Sequence, residues 1–184
     1  MVEAELKARV RDPERVRRLL RDWSVEEAAS YKDTYYDRPS GELHRTGREL
    51  RLRTIWTEHG VHHLLTFKGA PMDDVSQSKP EHETEVAERE PVEATLRGLG
   101  FEVWVRFTKR VVNYRFSVEG RGVVASIVTV PELQGTFLEV ESMAEAGEVG
   151  QVLGLLRRVV AELGIQEADL TTERYDESVI KASS

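Results

Sequence analysis

The sequence predicts a strand-dominated α+β fold in which a closed or nearly closed antiparallel sheet is covered by amphipathic helices. One observation is that several segments of strand length alternate charged and apolar residues, which gives each a charged face and an apolar face. A second is that three segments carry apolar residues at helical spacing. The elements follow the order strand, helix, several strands, then the same again, then a helix. Helices placed in this way can cover the apolar faces of a sheet.

The first strand shows the alternation most clearly. Over residues 2–10, Glu3, Glu5, Lys7 and Arg9 alternate with apolar residues. Because successive side chains of a strand point to opposite faces, two carboxylates and two cations share one face and an apolar row forms the other.

Turn and cap signals divide the rest of the chain. Asp12-Pro13 is typical of a helix start, and Pro91 opens a second helix. Pro39-Ser40-Gly41 and Glu58-His59-Gly60 are typical of turns, and Gly164 ends the most strongly periodic helix. Strands are predicted at residues 30–37, 48–57, 61–68, 81–88, 102–118 (one long strand or a hairpin), 122–130 and 136–142. Helices are predicted at residues 13–23, from 91 to 98 or 100, at 148–163 and at 173–180.

The composition narrows the class of protein. The 184 residues are 40% hydrophobic and 32% charged, which is typical of one globular domain spanning residues 1–184. A net charge of -7 argues against non-specific nucleic-acid binding. The chain has no cysteine, which excludes disulfides and zinc–thiolate sites, and it has no apolar run of membrane-spanning length. We therefore expect a cytoplasmic protein that binds neither nucleic acid nor membranes.

Charged rows recur on the later strands, and they allow two interpretations. The residues concerned are Glu49, Arg51 and Arg53; Lys68; Glu81, Glu83 and Glu85; Arg106, Lys109 and Arg110; and Glu139 and Glu141. Each row could be the solvent side of a half-buried sheet. Alternatively, the rows could converge inside a barrel, where carboxylates would hold Mg²⁺ or Mn²⁺ and cations would hold phosphates. The covering helices favour the second interpretation.

An ordered set of motifs resembles the CYTH superfamily, also called triphosphate tunnel metalloenzymes. The set begins with Glu3-x-Glu5-x-Lys7 and continues with Thr34-Tyr35-Tyr36-Asp37, Leu50-Arg51-Leu52-Arg53, Leu65-Thr66-Phe67-Lys68-Gly69, Lys79-Pro80-Glu81-His82-Glu83-Thr84-Glu85, Leu99-Gly100-Phe101 and Gly135-Thr136-Phe137-Leu138-Glu139-Val140-Glu141. The first motif alone is a weak signal, whereas the ordered set covers nearly the whole chain. Within the superfamily the chain looks most like the class IV adenylyl cyclases.

The resemblance implies a triphosphate tunnel of about eight antiparallel strands that binds a nucleoside or inorganic triphosphate with Mg²⁺ or Mn²⁺. Position by position, it implies metal-binding acids at Glu3, Glu5, Glu139 and Glu141. It implies phosphate-binding cations at Lys7, Arg51, Arg53, Lys68 and Lys109. Glu81 and Glu83 match a further acidic pair, and together with Lys7 they are the expected catalytic residues. The resemblance is also compatible with a homodimer.

Three activities remain open at this stage. The first is conversion of ATP to cyclic AMP and pyrophosphate. The second is hydrolysis of thiamine triphosphate, tripolyphosphate or a nucleotide, and the third is triphosphate binding without turnover.

Two departures from the family pattern bear on these alternatives. Val111 stands where the family commonly has arginine, and the adjacent Arg110 could replace it if a bulge turned it inward, so Arg110 joins the expected phosphate-binding residues. Before the last charged strand, Thr129 or Val128 stands in place of a family aspartate.

Overall fold

Eight antiparallel strands close into a barrel in a computed structural model of the chain, which describes residues 1–72 and 78–183. The strand order around the barrel is β1-β5-β4-β3-β2-β6-β7-β8. The strands are β1 (Val2–Val10), β2 (Glu26–Asp37), β3 (Glu49–Thr57), β4 (Gly60–Lys68), β5 (Lys79–Glu85), β6 (Glu102–Val118), β7 (Arg121–Thr129) and β8 (Thr136–Ala144). The helices are α1 (Pro13–Trp23), α2 (Glu42–Arg45), α3 (Arg89–Gly98), α4 (Val149–Glu162) and α5 (Tyr175–Ala182). The predicted α+β barrel is confirmed.

The main core lies outside the barrel wall, between β1, β7 and β8 and the helices α1 and α4. Ala4 and Leu6 of β1 are buried there against Leu20 of α1 and Leu156 of α4. Burying a leucine side chain contributes about 1.5–3 kcal/mol to stability, so this cluster holds the helices on the barrel. The apolar face of β1 is therefore its outer face, and its charged face points inward.

A smaller cluster lies under α3 on another part of the wall. It buries Tyr36 and Leu52 of the barrel against Leu96 of α3. The three periodic helices of the sequence thus cover the outside of the barrel, as predicted.

The last helix, α5, has a different place from the other helices. Tyr175 and Val179 of α5 pack against Phe107 and Phe137, whose side chains point into the barrel. The chain before α5 is fastened to β1, because the Thr171 amide donates to the Lys7 carbonyl at 2.9 Å. The helix therefore closes one end of the barrel.

Several predicted boundaries were wrong. β2 begins at Glu26 instead of residue 30, because β6 is one continuous strand that extends the pairing as far as Tyr114. β5 spans residues 79–85 instead of 81–88, and α3 begins two residues before Pro91. The single turn of α2 was not predicted; it is held by the buried Asp37 carboxylate, which accepts hydrogen bonds from two amides of that turn.

The pairing around the barrel is uneven. β1 pairs with β8 along its whole length, from Val2 to Val10. Its register with β5 covers two residue pairs, of Val2 with Pro80 and of Glu3 with Lys79. No helix in the described ranges is long and apolar enough to cross a membrane.

Candidate active site

The inward faces of the strands enclose a charged tunnel with a cavity of about 370 Å³. All but one of the expected site residues line it, namely Glu3, Glu5, Lys7, Arg51, Arg53, Lys68, Glu81, Glu83, Lys109, Glu139 and Glu141. These side chains are not a solvent-facing row: Lys7, for example, is 6% exposed. For these residues the interpretation of the charged faces as the solvent side of a sheet was therefore wrong, whereas Glu85, Arg106 and Arg110 of the same rows are exposed.

Three carboxylates from neighbouring strands form one group. The β1–β8 register places Glu5 opposite Glu141, and Glu3 lies on the same inner face of β1. Each of the three offers an oxygen within 4.8 Å of the others. Burial, followed by the charges of Glu139 and Glu3, raises the pKa of Glu5 to about 7. Burial and the two acids of β1 raise the pKa of Glu141 well above its ordinary value. Buried like charges of this kind favour either protonation or a bound cation.

Glu139 has a different environment, one step deeper on β8. Its carboxylate is 3.5 Å from the Lys7 ammonium. Burial opposes ionisation, but Lys109 and Lys7 outweigh it and lower the pKa of Glu139 to about 2. Glu139 is thus an ionised partner of two lysines and lies outside the group of three.

Two cations of the opposite wall are held by acids and by a threonine. Lys68 is ion-paired with Glu3 and lies 3.0 Å from Glu81. Arg51 donates to Thr66 at 3.3 Å and lies 3.7 Å from Glu83. These pairs hold both cations in the tunnel near the carboxylate group.

Asp33 is a tunnel residue that the sequence analysis missed. It is fully buried and accepts two hydrogen bonds from Arg53, at 2.6 and 2.8 Å. The Lys109 ammonium lies 3.7 Å away. Although burial opposes ionisation, Arg53 and the nearby cations lower the pKa of Asp33 well below its ordinary value. The sequence held a signal, because Asp33 shares one face of the predicted strand with Tyr31 and Tyr35 and is the charged residue of that row.

Arg110 does not enter the tunnel, so its expected role was wrong. It is exposed and lines a separate surface groove beside α1. The bulge that would have turned it inward is absent at this position; the β2–β6 register shifts instead at Tyr35 and Tyr36. Val111 consequently points inward and is buried.

Neither candidate for the position of the missing family aspartate offers a carboxylate: Thr129 lines the surface groove beside α1, and Val128 is apolar. Val128 is fully buried and packs in the cluster of Phe137 and Tyr175. No carboxylate can therefore come from this position.

The two ends of the tunnel differ. At the α5 end, Arg174 binds Asp176 at 2.8 Å and lies 3.5 Å from Glu49, which also pairs with Lys79. Glu49 belongs to a charged row that the sequence shows, whereas Arg174 and Asp176 could not be predicted because a helix late in the chain gives no reason to expect them inside a barrel.

At the other end four apolar side chains line the cavity together with Arg115, which pairs with Val124 across β6 and β7 and with the Glu27 carboxylate. Ile55, Leu64, Val124 and Met143 line the cavity there, and Met143 is 41% exposed. This end is the open mouth of the tunnel.

Comparisons with known proteins agree with this architecture. The chain matches the CYTH domain over residues 1–175. A Methanocaldococcus jannaschii protein named as a candidate adenylate cyclase is 26% identical over 179 residues, covering 95% of this chain and 97% of the relative. The PH1819 protein of Pyrococcus horikoshii has a similar fold, with a TM-score of 0.83 at 24% identity, covering 97% of this chain and 98% of that one.

A more distant structural relative comes from Hippeastrum. It is a candidate adenylyl cyclase described as having a dominant triphosphatase activity, and it matches with a TM-score of 0.66 at 18% identity, covering 98% of this chain and 96% of its own. Because the domain match spans nearly the whole sequence and the barrel carries the charged tunnel that the motifs predicted, the chain belongs to the CYTH domain family.

Proposed function

We propose that the protein is a divalent-metal-dependent adenylyl cyclase, which converts ATP to cyclic AMP and pyrophosphate. The observation that supports this proposal is the order of side chains along the tunnel. From the open mouth inward, four apolar residues and Arg115 come first, the group of three carboxylates second and most of the other cations third.

The strand registers establish this order. Along β8 the successive inward residues are Met143, Glu141 and Glu139, and along β3 they are Ile55, Arg53 and Arg51. Both strands run toward the mouth, whereas their neighbours β7 and β4 run away from it. Met143 and Ile55 therefore lie nearest the mouth, and Val124 and Leu64 extend the apolar lining as far as their cross-strand partners Glu141 and Arg53.

This order orients a nucleoside triphosphate. The organic part favours the apolar mouth, and the phosphate chain favours the cations beyond it. The phosphoryl group beside Glu3, Glu5 and Glu141 is then the one nearest the nucleoside, the α-phosphoryl group. Attack by the ribose 3′-hydroxyl at this phosphorus forms the cyclic ester and releases pyrophosphate.

The three carboxylates fit Mg²⁺ or Mn²⁺, since both ions prefer oxygen ligands and commonly share them with substrate phosphates. When bound, such an ion would supply positive charge beside the reacting phosphoryl group and lower the pKa of the attacking hydroxyl. Lys7, Lys68 and Arg51 would hold the phosphate chain and offset the charge that develops on the leaving pyrophosphate. Catalysis then rests on positioning and electrostatics, as in other phosphoryl transfers.

Triphosphate hydrolysis is the second candidate function. It is supported by the activity described for the Hippeastrum relative and by the apolar position of Val128. In that reaction water attacks the terminal phosphorus, so the terminal phosphoryl group has to lie beside the carboxylates and the chain has to enter in the opposite direction.

One assay separates the candidates. The purified protein is incubated with ATP, tripolyphosphate or thiamine triphosphate and Mg²⁺ or Mn²⁺, and cyclic AMP, pyrophosphate and phosphate are measured separately. We expect cyclic AMP and pyrophosphate from ATP. Phosphate alone would replace the proposal with triphosphate hydrolysis, and binding without any product would indicate a binding module.

A mouth variant tests the orientation. Leu64→Asp should raise the KM for ATP and leave the affinity for tripolyphosphate unchanged, because only ATP carries a group for the apolar mouth. Val61→Asp, at an exposed position on the outer face of the same strand, is the matched control. An equal effect of Leu64→Asp on both compounds would contradict the orientation.

A further inference from the structure

One side chain of α5 forms part of the tunnel wall at the end that this helix covers. Tyr175 is 4% exposed, and its ring lies 4.1 Å from the Lys7 ammonium and 4.3 Å from that of Lys109. Phe137 supports the ring edge-on, with centroids 5.1 Å apart. The ring therefore lies against two lysines of the tunnel, near the end that α5 covers.

The hydroxyl group of Tyr175 points to a ligand. It is buried beside the Glu139 carboxylate but forms no hydrogen bond of normal geometry with any described residue. A buried donor without a partner is costly, and such groups in native structures usually have a reason. The neighbouring ammonium groups make a phosphate oxygen the matching acceptor.

The residues before and after Tyr175 in the sequence hold its ring in position. Arg174 binds the Asp176 carboxylate with two hydrogen bonds, at 3.3 and 2.8 Å, and reaches Glu49 of the barrel wall. Lys7 donates to the carbonyl of Glu173 at 3.2 Å. A ring held in this way acts as a wall with a hydrogen-bond donor on it.

We propose that Tyr175 is a chain-length stop: its hydroxyl group binds the terminal phosphate, and its ring excludes any phosphoryl group beyond it. This inference rests on the proposed function, since it assumes that the phosphate chain extends from the carboxylate group toward Lys7 and Lys109. Three phosphoryl groups then fit between the carboxylate group and Tyr175, and a fourth would have to lie among the apolar side chains of the mouth, which disfavours it. This makes Tyr175 a specificity-determining residue.

Binding of inorganic chains tests the stop without turnover being needed. Tripolyphosphate and tetrapolyphosphate are titrated into the full chain with Mg²⁺, and heat of binding is measured. The unmodified protein should bind tripolyphosphate more tightly. Tyr175→Ala, which removes the ring, should shift the ratio of the two affinities at least about tenfold toward tetrapolyphosphate. Tyr175→Phe should lower the affinity for tripolyphosphate about tenfold, because it loses one charge-assisted hydrogen bond. It should still exclude the longer chain, because the ring remains in place.

Tyr36→Phe is the matched control. The Tyr36 hydroxyl is also buried and forms no hydrogen bond of normal geometry in the described part of the chain, but it lies under α3, outside the tunnel. It should change neither affinity. Tight binding of tetrapolyphosphate by the unmodified protein, or an unchanged ratio in folded Tyr175→Ala, would overturn the stop and leave the proposed function standing. If the unmodified protein binds neither chain, the proposed function fails as well. Should Tyr175→Ala not fold, the unmodified protein and Tyr175→Phe still decide the question.

Discussion

Replacing Asp33 with asparagine tests whether the tunnel cations depend on internal counter-ions when no substrate is bound. The Asp33 side chain is fully buried and accepts both hydrogen bonds of the Arg53 guanidinium, with Lys109 3.7 Å away. Asparagine keeps the shape but removes the charge, which leaves the Arg53 guanidinium without its anion and leaves Lys109 with Glu139 alone. Breaking a buried ion pair in this way costs about 3–5 kcal/mol.

The loss should be visible in urea unfolding and in thermal melts. For a chain of this size, 1 kcal/mol shifts Tm by about 2–4 °C, so we expect Tm to fall by roughly 6–20 °C. Asp22→Asn, at an exposed position on α1, is the control and should change the free energy of unfolding by less than about 0.5 kcal/mol.

Substrate should restore much of the lost stability. A ligand present at about 100 times its Kd stabilises a protein by about 2.7 kcal/mol. Tripolyphosphate should raise the Tm of Asp33→Asn by more than that of the unmodified protein, because its oxygens replace the missing negative charge. A loss below about 1 kcal/mol, or equal stabilisation of both proteins by tripolyphosphate, would refute this account of the tunnel.

Three further predictions concern the carboxylate group and the expected arginines. Glu3→Gln and Glu5→Gln should each lower Mn²⁺-dependent turnover by about 100-fold or more while circular dichroism stays unchanged; full activity would mean that the group binds no metal. Since the pKa of Glu5 rises from 4.5 to about 7 on folding, the metal-free protein should lose roughly 1 kcal/mol of stability for each pH unit between these values as the pH rises. Urea unfolding at pH 5 and pH 7.5 should show this loss, and saturating Mn²⁺ should remove it. Arg110→Ala should leave turnover within about twofold, whereas Arg51→Ala should lower it about 100-fold; the reverse result would restore Arg110 to the site.

The charged side of each strand could be predicted from the sequence because strand periodicity is strict. Once β1 is known to bury Leu6 outward under α4, the direction of Glu5 and Lys7 follows from alternation alone. The same rule extends to every strand of a closed barrel. This is why nearly all of the expected tunnel residues do line the tunnel.

Side-chain partners could not be predicted in the same way. Asp33 faces Arg53 because β2 and β3 share a particular register, and register depends on the length of turns that the sequence specifies only loosely. The placement of Tyr175 depends on a contact between residues far apart in the chain. The predicted inward orientation of Arg110 was wrong because it required a β-bulge, and the β2–β6 register is regular at this position.

The short register between β1 and β5 has a consequence for the dynamics of the barrel. A seam of two residue pairs, one of which includes Pro80 with no amide proton to donate, is held by few main-chain hydrogen bonds. Proteins open locally where such bonds are fewest, and hydrogen exchange reports those openings. We expect the amides of β5 to exchange well before those of β8, which pairs with β1 along the full length of that strand. The β1–β5 pairing is then the weakest part of the barrel wall, and it lies beside Glu3. A ligand that links Glu3 to the opposite wall should therefore slow amide exchange at this pairing first.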